Sequence, residues 1–154
     1  IKDKKTSSKN LKFLSSFWKK MGSKTVIMNS EKHDKVFSIT SHLPHLIAYN
    51  LVKSAQDFEK ILKFGLIKYS AGGLRDFSRI AASNEIMWRD IFFDNSENIL
   101  KVLDNYSKNL DEIKSAIQNK DSEKLLEIFS STKKVRKEII EAGQDTEKPD
   151  FGRK

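Results

Sequence analysis

The sequence predicts a mainly α-helical protein, and three observations carry that prediction. Only two prolines and six glycines interrupt 154 residues rich in helix-forming Lys, Leu and Glu. Apolar residues recur at spacings of three and four through most of the chain. One short run alone, Thr25-Val26-Ile27-Met28, has the β-branched character of a buried strand. The length suits a single domain with one core. The absence of cysteine excludes disulfides, thiolate metal sites and a thiol nucleophile, and favours a reducing cytoplasmic setting. No apolar run reaches the ~18 residues needed to cross a bilayer.

Residues 1–7 are polar and read as a linker. From Ser8 a helix places Leu11, Leu14, Trp18 and Met21 on one face, and Gly22 stands where a left-handed cap ends it. The strand at 25–28 needs a sheet to join, and no second convincing strand is present; this predicts a sheet outside the chain. Asp34 can cap a helix over about 35–54 that buries Val36, Ile39, Leu43, Leu46, Ile47 and Leu51, with a bend at Pro44. Asp57 opens a short helix with Phe58, Ile61, Leu62 and Leu66. Ser83 caps another, carrying Ile86, Met87, Trp88, Ile91 and Phe92. Asp94-Asn95-Ser96-Glu97 fits a capping box. A heptad seam follows at Ile99, Leu103, Tyr106, Leu110, Ile113 and Ile117. Asp121 or Ser122 caps a last helix with Leu125, Ile128, Phe129, Val135 and Ile139, completing an antiparallel hairpin. The tail after Ala142 is expected to be disordered.

The net charge of +8 is a local property. Residues 1–35 hold ten lysines against Asp3, Glu31 and Asp34, which accounts for +7 of it. These lysines flank an apolar stripe rather than interleave with aromatics, so a solvated helix face explains them better than a nucleic-acid surface.

Two motifs stand out. In Ser41-His42-Leu43-Pro44-His45 the two imidazoles lie three residues apart, beside a carbonyl that Pro44 leaves without its N–H partner. A polar substrate pocket, a metal pair and histidines merely bonded at a kink all fit the spacing. Metal is the weakest of these, because only His33 and scattered carboxylates remain as further ligands. In Gly72-Gly73-Leu74-Arg75-Asp76-Phe77-Ser78-Arg79-Ile80, paired glycines lead into a helix bearing two guanidinium groups. That combination suits a carboxylate-binding corner, since arginine offers two parallel donors. An ordinary helix with Asp76 and Arg79 paired in solvent fits the spacing as well.

Taken together, His33-Asp34, the Ser41–His45 motif, the Gly72–Ile80 stretch and Met87-Trp88-Arg89-Asp90-Ile91 resemble the C-terminal half of the prephenate (or arogenate) dehydrogenase family, the cyclohexadienyl dehydrogenases of tyrosine biosynthesis. The likeness spans roughly residues 8–140 and weakens through the terminal hairpin. It implies an all-helical dimerisation domain of the 6-phosphogluconate-dehydrogenase-like C-terminal type. Residues 1–32 would be the last helix and strand of a nucleotide-binding α/β domain, 33–142 the helical dimerisation and substrate domain, and 143–154 a tail. The family's glycine-rich loop and catalytic histidine lie upstream of this region, so no catalytic residue and no cofactor-binding residue is assigned here.

The resemblance further implies an NAD- or NADP-dependent oxidative decarboxylation of prephenate or arogenate by a homodimer. The arginine matching Arg79 binds a substrate carboxylate. The residues matching His45 and Asp76 shape and gate the pocket, those matching His42, Ser41 and Gly72 line it, and Trp88 lies near the pocket or the subunit boundary. Arg75 would serve structure, and Leu74 departs from an aromatic common in the family. No metal, nucleic-acid or membrane partner is expected. Three functions are weighed: the substrate-binding half of a dehydrogenase, a purely structural dimerisation module, and, least favoured, nucleic-acid binding through the N-terminal lysines.

Overall fold

A computed structural model describes residues 1–144, and among them the chain is built from helices alone. Helix α1 (Ser8–Lys20) ends as expected. Gly22 takes φ +85°, and the Ser23 and Gly22 N–H groups return to the Trp18 and Lys19 carbonyls. Its apolar stripe is not buried, however: Leu14, Trp18 and Met21 are all exposed, because no other element among the described residues covers that face. The stretch after it forms no strand. A single backbone bond, from the Lys2 N–H to the Met28 carbonyl, replaces the ladder that a strand would need.

Helix α2 (Ser30–Phe37) starts earlier than the sequence suggested. Asn29 caps it by accepting from the Lys32 N–H, while Asp34 sits inside the helix with its carboxylate on His33 Nδ1 at 2.9 Å. A π-helical turn, Ser38–His42, then leads into α3 (Leu43–Leu62). The Leu43 N–H reaches back five residues to the Ser38 carbonyl. The wider turn takes the place of the expected bend: Pro44 falls in the first turn of α3, where its missing N–H costs no helical bond. The changed winding leaves Ile39 exposed and buries Ser38, whose hydroxyl donates to the Lys35 carbonyl.

Asp57 begins no new helix, since α3 runs straight through it, and Phe58, Ile61 and Leu62 are exposed near its end. A 3₁₀ turn (Leu66–Tyr69) precedes α4 (Gly72–Ile80), which packs on α3. Asn84, not Ser83, caps α5 (Glu85–Asp94) by accepting from the Met87 N–H. Helices α6 (Ser96–Gln118) and α7 (Ser122–Glu141) form the anticipated hairpin, with Asp121 as the α7 cap and Lys124 paired to Glu112 at 2.8 Å. The heptad seam is buried only at its start: Ile99 is enclosed, whereas Leu110 and Ile117 are exposed. Val135 and Ile139 of α7 are exposed too. The tail expected to be disordered lies, from residue 145 onward, outside the described residues; Gly143 and Gln144 still bond back to α7.

The core is small for this length. Leu43, Ala48, Trp88, Ile99 and Ala116 are its buried apolar members, with Ser38 and Asn95 as buried polar ones. They place the centre of packing where the π turn meets α3, α5 and α6.

Candidate functional site

The buried centre coincides with the histidine motif. His45, on the first turn of α3, lies flat against the indole of Trp88 from α5, with centroids 3.6 Å apart and planes at 21°. His42, the last residue of the π turn, meets the same indole edge-on at 6.1 Å. Phe92, one turn along α5, packs on the same indole with centroids 5.5 Å apart and planes at 45°. One turn after His45, the Tyr49 hydroxyl donates to the Ser83 carbonyl at 2.9 Å. That bond ties α3 to the loop before α5 and so sets the height of Trp88. A groove opens beside the stack, bounded by Leu46, Tyr49, Trp88 and Phe92.

The polar groups of this cluster are partly committed and partly spare. The Ser41 carbonyl accepts from His45 Nδ1 at 2.9 Å. His42 Nδ1 lies 3.2 Å from the Asn95 amide nitrogen, which also donates to the Asp34 carbonyl at 2.8 Å. Burial, helped by the neighbouring His33 and His45, pushes the His42 pKa below its ordinary value, against the opposing pull of Asp34. The Trp88 Nε1–H is buried and has no acceptor among the described residues. Buried donors are nearly always satisfied, so this one calls for an acceptor that the described residues do not supply.

Of the sequence-derived candidates, the structure gathers Ser41, His42, His45 and Trp88 into one cluster. Gly72, Asp76 and Arg79 lie on α4, the helix packed against α3. Arg79 is exposed, and the solvent pair with Asp76 that an ordinary helix would use is not formed; among the described residues its guanidinium has no ion pair. Gly72 begins α4, and Ala71 caps it without a side-chain acceptor. Among the described residues no group of three His, Asp or Glu side chains is placed to hold a metal.

Asn95 was missed by the sequence reading, which spent it on a capping box. It makes no cap bond to α6, because its side chain is turned inward to α2 and His42. An asparagine beside an acidic capping signature offers no local sign of that role.

The fold and site define a helical module that holds two imidazoles and an indole beside an arginine-bearing helix, with much apolar surface left open. The family model described as prephenate dehydrogenase, dimerization domain, matches residues 29–131, and the chain belongs to that family. It is 37% identical to the cyclohexadienyl dehydrogenase of Zymomonas mobilis over 134 residues, 87% of this chain and 46% of that protein. It is 35% identical to the prephenate dehydrogenase of Bacillus subtilis over 86% of this chain and 35% of that one. Among solved structures it resembles the prephenate dehydrogenase of Aquifex aeolicus in complex with hydroxyphenyl propionate and NAD+, with TM-score 0.83 and 40% identity over 90% of this chain and 48% of that one. The chain thus spans about half, or less, of the length of these relatives.

Proposed function

We propose that the chain is the substrate-binding and dimerising part of an NAD(P)-dependent prephenate dehydrogenase, a cytoplasmic enzyme of tyrosine biosynthesis that converts prephenate to 4-hydroxyphenylpyruvate. The observation that carries this reading is the π turn, which sets His42 and His45 against Trp88 and leaves the indole N–H unspent in a chain of this family. Arogenate is the alternative substrate, and the site chemistry named here serves either.

In the reaction, the C–H bond at the hydroxyl-bearing ring carbon breaks with hydride transfer while a base takes the hydroxyl proton. The ring carboxylate then departs as carbon dioxide, its bonding pair makes the ring aromatic, and the proton returns to the oxygen to give the phenol. A bound nicotinamide supplies the hydride acceptor. The sequence has no G-x-G-x-x-G, and the described residues form no strand–loop–helix to hold a dinucleotide. In this reading nucleotide binding is assigned to a separate domain, with residues 1–32 as its trailing edge. The present chain's task is to hold the acid. Arg79 grips one carboxylate through its paired donors, and Asp76, with His45, shapes and gates the pocket. His42 and His45 contact the ligand's polar groups, Trp88 forms the wall, and Ser41 and Gly72 line the backbone around them.

The small core and the exposed Leu100, Leu110, Ile117 and Phe93 favour a homodimer, which would cover apolar surface that this chain alone leaves in water. Amide and indole chemical shifts of the chain, followed during titration with prephenate and 4-hydroxyphenylpyruvate, test the site. Saturable shifts centred on His42, His45 and the Trp88 indole are expected. Shifts confined to Trp18 and the N-terminal lysines would contradict it.

A further inference from the structure

The contacts around the two imidazoles determine where each carries its proton. Asn95 is buried, and its amide nitrogen donates to the Asp34 carbonyl at 2.8 Å while its oxygen accepts from Asn98 Nδ2, also at 2.8 Å. A carbonyl oxygen only accepts, so the Asp34 contact decides which end of the Asn95 amide faces inward. The second N–H of that nitrogen reaches His42 Nδ1 at 3.2 Å, so His42 Nδ1 must offer its lone pair. A neutral imidazole has one proton, which then sits on Nε2. At His45 the constraint is reversed. Its Nδ1 faces the Ser41 carbonyl at 2.9 Å, another pure acceptor, so the proton sits on Nδ1 and Nε2 is bare.

We infer that Asn95 is a positioning residue that holds His42 as the Nε2–H tautomer, while the Ser41 carbonyl holds His45 as the Nδ1–H tautomer. One imidazole of the pair offers a donor and its neighbour an acceptor. This deepens, and rests on, the reading of the cluster as a substrate cleft. A pair so poised suits an organic acid that bears both acceptor and donor groups: a carboxylate accepts from His42 without taking up a proton, and a ligand donor is met by the bare nitrogen of His45. Two imidazoles in the same tautomer would match only one of those groups. The Ser41 carbonyl and the amide of Asn95 thus act together on residues three apart in sequence.

Long-range proton–nitrogen NMR of the chain at about pH 8, above the ordinary imidazole range, reads each ring nitrogen directly. The groups facing His42 are His33 and Asp34 from α2 and His45 from α3. His42→Gln and His45→Gln assign the signals. The expected result is a bare Nδ1 in His42 and a bare Nε2 in His45. Asn95→Asp keeps the side-chain shape but sets a carboxylate oxygen against His42 Nδ1, so the proton is expected to move to Nδ1 while His45 is unchanged. Should that variant fail to fold, Asn95→Ala serves, and is expected to turn His42 into a mixture of tautomers. A protonated Nδ1 in wild-type His42, or a tautomer indifferent to the Asn95 substitution that folds, would overturn the inference. A held tautomer without saturable prephenate binding would instead defeat the proposed function and leave Asn95's role intact.

Discussion

His45 and Trp88 form a stacked pair, their rings 3.6 Å apart and nearly parallel, although 43 positions separate them in sequence. The contact joins α3 to α5 at the point where the chain is most buried, so one pair serves both the fold and the site. The two contributions can be separated by substitution.

Trp88→Ala removes a buried indole and should cost about 3–5 kcal/mol of stability. Trp88→Phe keeps a ring against His45 and deletes an N–H that has no partner among the described residues, so its stability loss should be much smaller. If the indole N–H serves a ligand, Trp88→Phe weakens prephenate binding while the melting temperature stays close to wild type. Thermal melts and ligand titrations of both variants check this.

His42 makes stability depend on pH. Burial is the main cause of its depressed pKa, so the folded chain takes up this proton at lower pH than the unfolded chain, which binds it near the ordinary 6.5. Between those two values the unfolded state holds more protons, and acid therefore favours unfolding. Stability is expected to be complete above about pH 7 and to fall as pH drops through 6.5 toward the folded value. His42→Gln should flatten that part of the profile, as read from melting temperatures at successive pH values. A wild-type profile that rises on acidification would contradict the assignment.

Gly73 tests whether the glycine pair serves the fold or a ligand. A Cβ added there meets nothing within 4 Å, and its φ is not left-handed. Gly73→Ala should therefore stabilise the chain, by about 0.5–1 kcal/mol. A simultaneous drop in prephenate affinity would show that the close approach is needed by the ligand; unchanged affinity would confine the glycine's effect to the helix.

The apolar residues left in solvent predict self-association. Light scattering at tens of micromolar (a concentration on the order of those at which stable interfaces persist) should report a dimer. Leu110→Glu and Ile117→Glu, both at exposed positions of α6, should shift it toward monomer without unfolding it. A monomeric wild type would count against a dimerising role.

Local chemistry made parts of this fold legible. Gly22 stops α1 and Asp121 starts α7 through bonds that span a few residues, and both were readable from spacing. Where two caps competed, local reasoning chose wrongly. Asp34 lost to Asn29 because its carboxylate is held by His33, and Ser83 lost to Asn84 because the Ser83 hydroxyl turns back to the Ile80 carbonyl. Asn95 was illegible for a different reason: its partners lie 53 and 61 residues away, and no short pattern encodes them. The heptad seam failed as a burial guide because periodicity marks an apolar face and says nothing about which body covers it. The histidine cluster was visible as a motif, but its closure by Trp88 needed the tertiary structure.

Arg79 carries the central claim, since it is exposed and unpaired in the described residues and is assigned to a carboxylate. An exposed, unpaired arginine contributes little to stability, so Arg79→Ala should melt within a degree or so of wild type. A charge-assisted bidentate contact is worth about 1.5–3 kcal/mol, which predicts a roughly 10- to 100-fold weaker affinity for the acid. The deciding measurement is calorimetric titration of prephenate into the wild-type chain and the Arg79→Ala chain under identical conditions. Saturable binding that weakens by that factor, with the fold intact, is the result expected; absence of binding, or binding indifferent to the substitution, would contradict the account.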